Sequence, residues 1–322
     1  MKGIRIHEYG NANVLKYEDI EKPEPKENEA RIRLEAIGVN FIDIYHRKGL
    51  YPNKLPLIPG MEGAGVVDKA GVGVSDLKQG DRVAYAMNLG SYAEYSIVPA
   101  WKLAKIPDRI NTKTACAAML QGMTAHYLTH STFKIKKNNI ILLHAAAGGV
   151  GLLLTQIAKK LGARVIGTMG NEEKAKLAKD NGVDVAIIYT KEDFEEKVKK
   201  ITDGNGVDAV YDSVGKATFE KSLNCLKPRG MLVSFGQSSG AIENFNPAIL
   251  SQKGSLFLTR PTLSNYCSNR SELLSRANDL FNWIKNKELK IKVHKAFRLS
   301  EAKKAHEELE GRKSSGKILL MP

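Results

Sequence analysis

The sequence predicts an α/β protein, a doubly wound parallel sheet joined to a second, mostly β domain, on three observations. The run Ile140-Ile-Leu-Leu-His-Ala-Ala-Ala-Gly-Gly-Val-Gly-Leu-Leu-Leu reads as a buried strand, a glycine turn and a helix start. Downstream of it, apolar runs alternate regularly with amphipathic segments. Upstream, short strand-like runs are punctuated by Gly and Pro.

The glycine turn comes first. After the apolar stretch Ile140 to Leu143, Gly148 and Gly149 permit a tight turn and close backbone approach. Gly151 lets the next helix pack on the strand, with its first amides turned to an anion such as a pyrophosphate. Alanine holds the first glycine position of the usual G-x-G-x-x-G pattern, so the surrounding elements carry the inference. Five further strands are expected at Arg164 to Thr168, Val185 to Ile188, Val207 to Asp212, Met231 to Phe235 and Ser255 to Leu258. Helices are expected at Val150 to Leu161, Glu172 to Asn181, Asp193 to Thr202 and Thr218 to Leu226. Six strands with such crossovers make a complete Rossmann unit.

The end of the second strand selects the nucleotide. NAD-binding folds place an acidic residue there to bind the ribose 2′-hydroxyl. This chain has Gly167-Thr-Met-Gly-Asn-Glu-Glu-Lys, with Gly170 near the acidic position and Lys174 one helical turn on. Glycine leaves room for a 2′-phosphate and lysine supplies charge, which favours NADPH over NADH. Glu172 and Glu173 complement the dipole of a helix N-terminus.

A chain of 322 residues is long enough for two domains. The expected organisation is a first domain over residues 1–122, the nucleotide domain over 123–262, and a return to the first domain over 263–322. Runs Ala30 to Val39, Gly63 to Lys69, Asp81 to Ala86 and Ala93 to Val98 suggest the β character of the first domain. The tail carries helices near Ser271 to Asn286 and Ser300 to Glu310 and a closing strand at Lys317 to Leu320. The nucleotide is expected in the cleft between the domains.

With these residues assembled, the chain resembles the zinc-free NADPH:quinone oxidoreductases related to ζ-crystallin, within the medium-chain dehydrogenase/reductase superfamily. The resemblance spans the whole length. It is carried by Ala36-Ile-Gly-Val-Asn-Phe-Ile-Asp-Ile-Tyr45, Pro59-Gly-Met-Glu-Gly-Ala-Gly65, Gly80-Asp-Arg-Val83, His144 through Gly151 and Tyr211-Asp-Ser-Val-Gly215. Val233-Ser-Phe-Gly-Gln-Ser-Ser-Gly240 and Leu258-Thr-Arg-Pro261 add to it. It implies a GroES-like catalytic domain before the Rossmann unit. Where zinc alcohol dehydrogenases carry a catalytic cysteine this chain has Asn40, and where they carry a ligating histidine it has Met61. The three cysteines, Cys116, Cys225 and Cys267, are far apart. No zinc site can be assembled from these residues, so no metal is expected.

Loss of a Lewis acid bears on the substrate. A quinone needs less polarisation than a simple ketone, because its reduction gives an aromatic hydroquinone that spreads charge through the ring. The implied reaction is NADPH-dependent reduction of a quinone, with 2-alkenals and other conjugated enones as the alternative. From the resemblance, Ala147, Gly148, Gly149, Val150 and Gly151 bracket the pyrophosphate. Gly170, Lys174, Tyr189 and Arg312 surround the 2′-phosphate, and Ser213, Phe235, Gly236 and Ser238 line the rim of the nucleotide cleft. Asn40, Tyr45 and Thr124 fall near the nicotinamide and substrate, Asn40 and Thr124 to position and Tyr45 to donate a proton.

Other readings compete. Gly236-Gln-Ser-Ser-Gly240 matches the nucleophile elbow of serine hydrolases, but Ala241-Ile-Glu-Asn-Phe-Asn-Pro247 is a poor start for the helix that elbow needs. His126 and His130 have the i, i+4 spacing of metal ligands, with no third ligand nearby. The net charge of +14 suits an anionic partner such as RNA, yet the basic residues are dispersed among acidic ones, so weak non-specific binding is the most it implies. The N-terminus has no apolar signal core and no apolar run reaches membrane-spanning length, so a soluble, cytoplasmic enzyme is expected. Gly254-Ser-Leu-Phe-Leu-Thr-Arg260 has the extended, apolar make-up of an edge strand, and a homodimer through it is expected.

Overall fold

Near-continuous apolar runs form strands covered on both faces, and the middle of this chain is built from them. The computed structural model describes residues 1–322, which divide into two units: Met1–Met123 with Tyr266–Pro322, and Thr124–Asn265. In the second unit six strands lie in the order Val185–Ile188, Arg164–Met169, Ile140–Leu143, Val207–Asp212, Leu226–Ser234 and Phe257–Thr259. Every neighbouring pair is parallel. Parallel neighbours require crossovers, which include the helices Gly149–Lys160, Glu172–Asp180, Phe194–Ile201 and Phe219–Asn224. The order reverses between Ile140–Leu143 and Val207–Asp212, and ligands of such sheets sit at the carboxyl ends of the strands beside that reversal.

One strand is longer than its sequence suggests. Leu226–Ser234 begins five residues before Met231, through Lys227-Pro228-Arg229-Gly230, a stretch that reads as a turn. It is one locally: partners jump from Val207↔Leu226 to Ala209↔Met231, and Arg229 adopts φ +62°. The bulge absorbs a proline that a regular central strand would exclude.

In the first unit seven strands form one mostly antiparallel sheet. Its order is Val293–Arg298, Lys317–Met321, Glu29–Val39, Glu62–Ala70, Arg82–Ala86 and Ala104–Lys105, with Tyr95–Pro99 also paired to Glu29–Val39. The closing strand joins the tail to the N-terminal residues through Ile318↔Val39 and Leu320↔Ile37. Ile32, Ile37, Val67, Val83, Tyr85 and Leu320 are core residues of this unit. Fully burying each aliphatic side chain among them is worth about 1.5–3 kcal/mol. The hairpin of Lys2–Arg5 with Lys16–Asp19 and the helix Thr112–Tyr127 have no counterpart in the sequence pattern. That helix is rich in small residues, with Ala115-Cys-Ala-Ala118 fully buried in succession rather than on one stripe, so its periodicity is weak. The unit boundary at Met123 falls inside it.

Candidate functional site

The turn after Ile140–Leu143 is shaped by what will not fit in it. Ala145 takes φ +53°, and the Gly148 amide donates to the Ala145 carbonyl at 2.8 Å. A Cβ on Gly151 would stand 2.4 Å from the Ala145 oxygen and 2.7 Å from the Ala146 oxygen, both backbone atoms, so only glycine is accommodated. A Cβ on Gly167 of the neighbouring strand would meet the Ala146 side chain at 2.8 Å. Ala147 is buried, and the helix proper starts at Gly149. Amides of its first turn, Gly149, Val150 and Gly151, have no acceptor within the helix. They stand at the positive end of its dipole, ready for an anion.

At the next strand end, Gly170 and Tyr189 come together, and Lys174 lies in the first turn of the helix that follows. A Cβ on Gly170 would lie 3.1 Å from the Tyr189 hydroxyl, so the glycine gives the phenol its place. The Tyr189 amide donates to the Met169 carbonyl at 3.1 Å, and Thr190 Oγ1 donates to the Gly170 carbonyl at 3.0 Å. Asn171 caps the next helix by accepting from the Lys174 amide at 2.9 Å, which sets Lys174 in the first turn. Tyr189 is 44% exposed, a ring edge open to a ligand rather than a core aromatic. Glu172 pairs with Lys191 at 2.8 Å.

Ser213, Phe235, Gly236 and Ser238 lie on two loops that lock together. The Ser238 amide donates to the Ser213 carbonyl at 3.1 Å, and the Phe235 amide to the Asp212 carbonyl at 2.8 Å. A Cβ on Gly236 would stand 2.7 Å from the Ser213 oxygen. The Asp212 carboxylate accepts from the amides of Val214 (2.6 Å) and Gly215 (3.1 Å) and from Thr218 Oγ1 (2.7 Å). Arg260 donates to the carbonyls of Ser234 (3.0 Å) and Gly236 (2.8 Å) and to Gln237 Oε1 (3.2 Å). Ser238 is followed by a turn and irregular chain, and the next helix begins only at Ala248. The strand-turn-helix of a hydrolase elbow is not formed.

Asn40 and Tyr45 belong to the other unit, at and within the helix Phe41–Arg47. Both are buried. The Asn40 amide group donates to Glu62 Oε2 at 2.9 Å and to the Gly38 carbonyl at 3.3 Å, while its oxygen accepts from Lys317 Nζ at 2.7 Å. Lys317 also bonds the Glu62 carboxylate, whose other oxygen accepts from the Leu120 amide at 2.6 Å. The side chain of Asn40 is thus held from three sides, which fits a positioning group rather than a mobile one. Tyr45 packs edge-on against Tyr51, 5.4 Å between ring centroids, and beside Phe41 at 6.3 Å. Tyr51 is 38% exposed and extends this aromatic group to the surface. Arg312 sits at φ +55° in the turn between the helix Ala302–Glu310 and the closing strand. Thr124 is buried in the helix Thr112–Tyr127, as the first residue of the nucleotide unit.

A second chain of buried polar groups adjoins Asn40. The Asp43 carboxylate accepts from the Asn40 amide at 2.8 Å and from the Tyr92 hydroxyl at 3.1 Å. Tyr92 is 2.9 Å from His306 Nε2, and His306 Nδ1 is 3.0 Å from an Arg47 nitrogen. Arg47 in turn grips Glu310 through two bonds of 2.8 and 3.0 Å. Arginine only donates, so His306 Nδ1 accepts and the neutral ring carries its proton on Nε2. Burial, with Arg47 beside it, lowers the pKa of His306 to about 3. Burial raises that of Asp43 to about 7, and Asp43 Oδ1 has no hydrogen-bond partner.

No group of three or more His, Cys, Asp or Glu is arranged to hold a metal ion. The rings of His126 and His130 stack face to face at 4.4 Å, and His130 Nδ1 lies 2.9 Å from Thr129 Oγ1. All three cysteines are buried. Burial pushes the Cys225 thiol up to about 12 and the Cys267 thiol to about 11.

Several groups that shape the site carry no linear signal. Arg260 lies on what reads as an edge strand, and Glu62, Lys317, Tyr92 and His306 are brought together from positions up to 255 residues apart. Tyr51 follows Tyr45 at a spacing that marks nothing until the loop folds back.

A parallel sheet with a glycine turn at its switch point in one unit, and a β sheet closed by the C-terminal strand in the other, define a two-domain dehydrogenase of the alcohol dehydrogenase type. Residues 26–108 match the alcohol dehydrogenase GroES-like domain and residues 149–281 the zinc-binding dehydrogenase family. The quinone oxidoreductase of Pseudomonas aeruginosa is 46% identical, with 100% of this chain and 99% of that protein covered. A 2-haloacrylate reductase from a Burkholderia species is 43% identical over 98% of each chain. The crystal structure of Escherichia coli quinone oxidoreductase complexed with NADPH superposes with a TM-score of 0.98 at 45% identity, covering all of both chains. The chain belongs to the quinone oxidoreductase family.

Proposed function

We propose that this protein is an NADPH-dependent, metal-free reductase of quinones. The observation that carries this reading is the pairing of the Gly148–Gly151 turn with the Gly170–Tyr189 edge, where glycine stands in place of the strand-end carboxylate that would reject a 2′-phosphate. The solved relative that carries NADPH, alike over its whole length, supports it. In this reading the amides of Gly149, Val150 and Gly151 hold the pyrophosphate, beside the buried Ala147 and Gly148. Lys174, Tyr189 and Arg312 take the 2′-phosphate. Ser213, Phe235, Gly236 and Ser238 hold the nicotinamide end. Bound NADPH supplies a hydride, and a quinone that takes it up needs one proton to become the hydroquinone. The Tyr45 hydroxyl is the donor, Thr124 positions, and Asn40 acts from its anchorage on Glu62 and Lys317. Asn40 and Met61 leave the usual zinc ligands missing. The 2-haloacrylate reductase among its relatives favours conjugated carbonyls as a second acceptor class.

The test is loss of nicotinamide absorbance with 1,4-benzoquinone, 9,10-phenanthrenequinone or 2-hexenal, using NADPH and NADH in parallel. NADPH-preferring turnover of the quinones is expected, and turnover of hexenal alone would move the protein to the enone reductases. Gly170→Asp is expected to raise KM for NADPH at least about tenfold, about 1.4 kcal/mol, and to leave KM for NADH within a factor of about two. The exposed Tyr189 ring can swing aside for the new Cβ, so the loss reflects charge repulsion. An equal change for both nucleotides would refute the assignment of this edge.

A homodimer belongs to the same proposal. Phe257–Thr259 is the outer strand of its sheet, bonded only to Leu226–Ser234, and Phe257 is 56% exposed. An apolar strand edge of this kind favours pairing with a second copy. Sedimentation is expected to give twice the chain mass of 35.4 kDa, and Phe257→Glu to give monomers; an unchanged dimer would place the interface elsewhere. We also place the enzyme in the cytoplasm, on the strength of three free, buried cysteines. No helix is long and apolar enough to cross a membrane. Many of the lysines pair with carboxylates, as Lys159 does with Asp184 and Lys199 with Glu195, which fits a solvated basic surface rather than a nucleic-acid site.

A further inference from the structure

A buried histidine lies under the glycine turn. His144 links the strand Ile140–Leu143 to the turn and is 1% exposed, its ring edge-on to Phe194 at 4.9 Å. An imidazole in such a place is costly unless both nitrogens are bonded. Both are: Nδ1 is 2.9 Å from Thr168 Oγ1, and Nε2 is 2.9 Å from Ser222 Oγ. Ser222 lies on the helix Phe219–Asn224, with its hydroxyl 3.4 Å from Asp212 Oδ2.

The protons can be placed from chemistry alone. A carboxylate only accepts, so the Ser222 hydroxyl donates to Asp212. The Ser222 oxygen then accepts from His144 Nε2–H, and His144 Nδ1 accepts from the Thr168 hydroxyl. Burial lowers the pKa of His144 and keeps the ring neutral. Every donor in the series Thr168, His144, Ser222 points toward Asp212, the carboxylate that fixes the amides of Val214 and Gly215.

The series touches three of the loops assigned to the nucleotide. Thr168 lies two residues before Gly170, and its carbonyl accepts from the Ala146 amide at 3.1 Å. His144 immediately precedes the turn, and its amide donates to the Tyr211 carbonyl at 3.0 Å. Asp212 holds the loop of Ser213. We infer that His144 is a positioning residue for the nucleotide: through Thr168 and Ser222 it fixes the spacing of the pyrophosphate turn, the Gly170 edge and the Ser213 loop before NADPH arrives. Pre-set spacing spares the bound state an ordering cost that scattered loops would incur. The inference rests on the NADPH reading above.

Its signature is a loss for ligands that span the loops without a loss for one that fills a single loop. In His144→Phe, which keeps a ring against Phe194, the Kd of NADPH is expected to rise about tenfold. The Kd of adenosine 2′-monophosphate, which lacks the 5′-phosphate and so reaches only the Gly170 edge, should stay within a factor of about two. General loosening of the unit would weaken both ligands alike and would overturn the inference, as would an unchanged NADPH Kd. His144→Gln, which retains a donor toward Ser222, is expected to recover part of the loss. Should the phenylalanine variant fail to fold, Thr168→Val and Ser222→Ala decide: each is expected to raise the NADPH Kd about threefold and spare the 2′-monophosphate, and if neither does, the inference is wrong. Parent protein that binds neither ligand would refute the NADPH reading itself.

Discussion

Lys317→Met is expected to lower the unfolding free energy by roughly 3–5 kcal/mol, the usual cost of stranding one member of a buried ion pair. Lys317 and Glu62 are 1% and 0% exposed at the side chain. Without the ammonium, Glu62 keeps only the Asn40 and Leu120 donors inside a closed core. Water cannot readily replace the lysine, because the site is packed to contact: a Cβ on Gly38 would stand 2.0 Å from Glu62 Oε2 and 2.8 Å from the Lys317 side chain. The double variant Lys317→Met, Glu62→Gln removes both charges, and is expected to lie within about 2 kcal/mol of the parent, since neutral replacements of a buried pair are tolerated. Urea unfolding of the parent, both single variants and the double variant measures the coupling. A loss below about 1 kcal/mol for Lys317→Met would mean that the pair is solvated. Asn40 loses its anchor in the same variant, so turnover is expected to fall more than cofactor affinity.

The pair also shows where sequence legibility ends. Ile140–Leu143 and Val207–Asp212 appear at their expected positions because a parallel strand buried on both faces leaves a run of apolar residues that little else produces. Gly151 is legible for a related reason, since a Cβ there would collide with a backbone carbonyl, and Gly170 because it holds the strand-end position where NAD-binding folds place a carboxylate. Lys317 offers nothing comparable. A lysine before Ile-Leu-Leu reads as the solvated start of a strand, and only its register beside Val39 reveals that it is enclosed. His144 reads as a polar interruption of an apolar run, and its meaning depends on Thr168 and Ser222, supplied by a neighbouring strand and a crossover helix. Local pattern records the backbone's steric demands; polar partnership is settled by residues far away in the chain.

Asp43→Asn is expected to change how stability depends on pH rather than merely how large it is. Asp43 is raised from an ordinary 3.8 to about 7 by burial, opposed by its bonds to the Asn40 amide and Tyr92 and by the charge of Lys317, and reinforced by Glu62. Between those two values the folded chain holds one more proton at this site than the unfolded chain. Its contribution is therefore fully present below about pH 4 and is lost as pH rises to about 7, at about 1.4 kcal/mol per pH unit. His306, lowered from 6.5 to about 3 by burial and by Arg47 against the pull of Glu310, runs the other way. Its contribution is present above pH 6.5 and disappears as pH falls toward 3. Tyr92 bonds the two groups, and between about pH 4 and 6.5 their slopes cancel. Asparagine removes one slope and leaves the other. The stability of the variant minus that of the parent is expected to climb by about 4 kcal/mol in total from pH 4 to 7 and to stay level above it. The variant should also lose stability on acidification from pH 6.5, where the parent is buffered by Asp43. Urea titrations at half-unit steps across this range read the difference directly. A difference that is flat with pH would show that Asp43 stays ionised in the fold, with its orphaned oxygen met by water rather than by a proton.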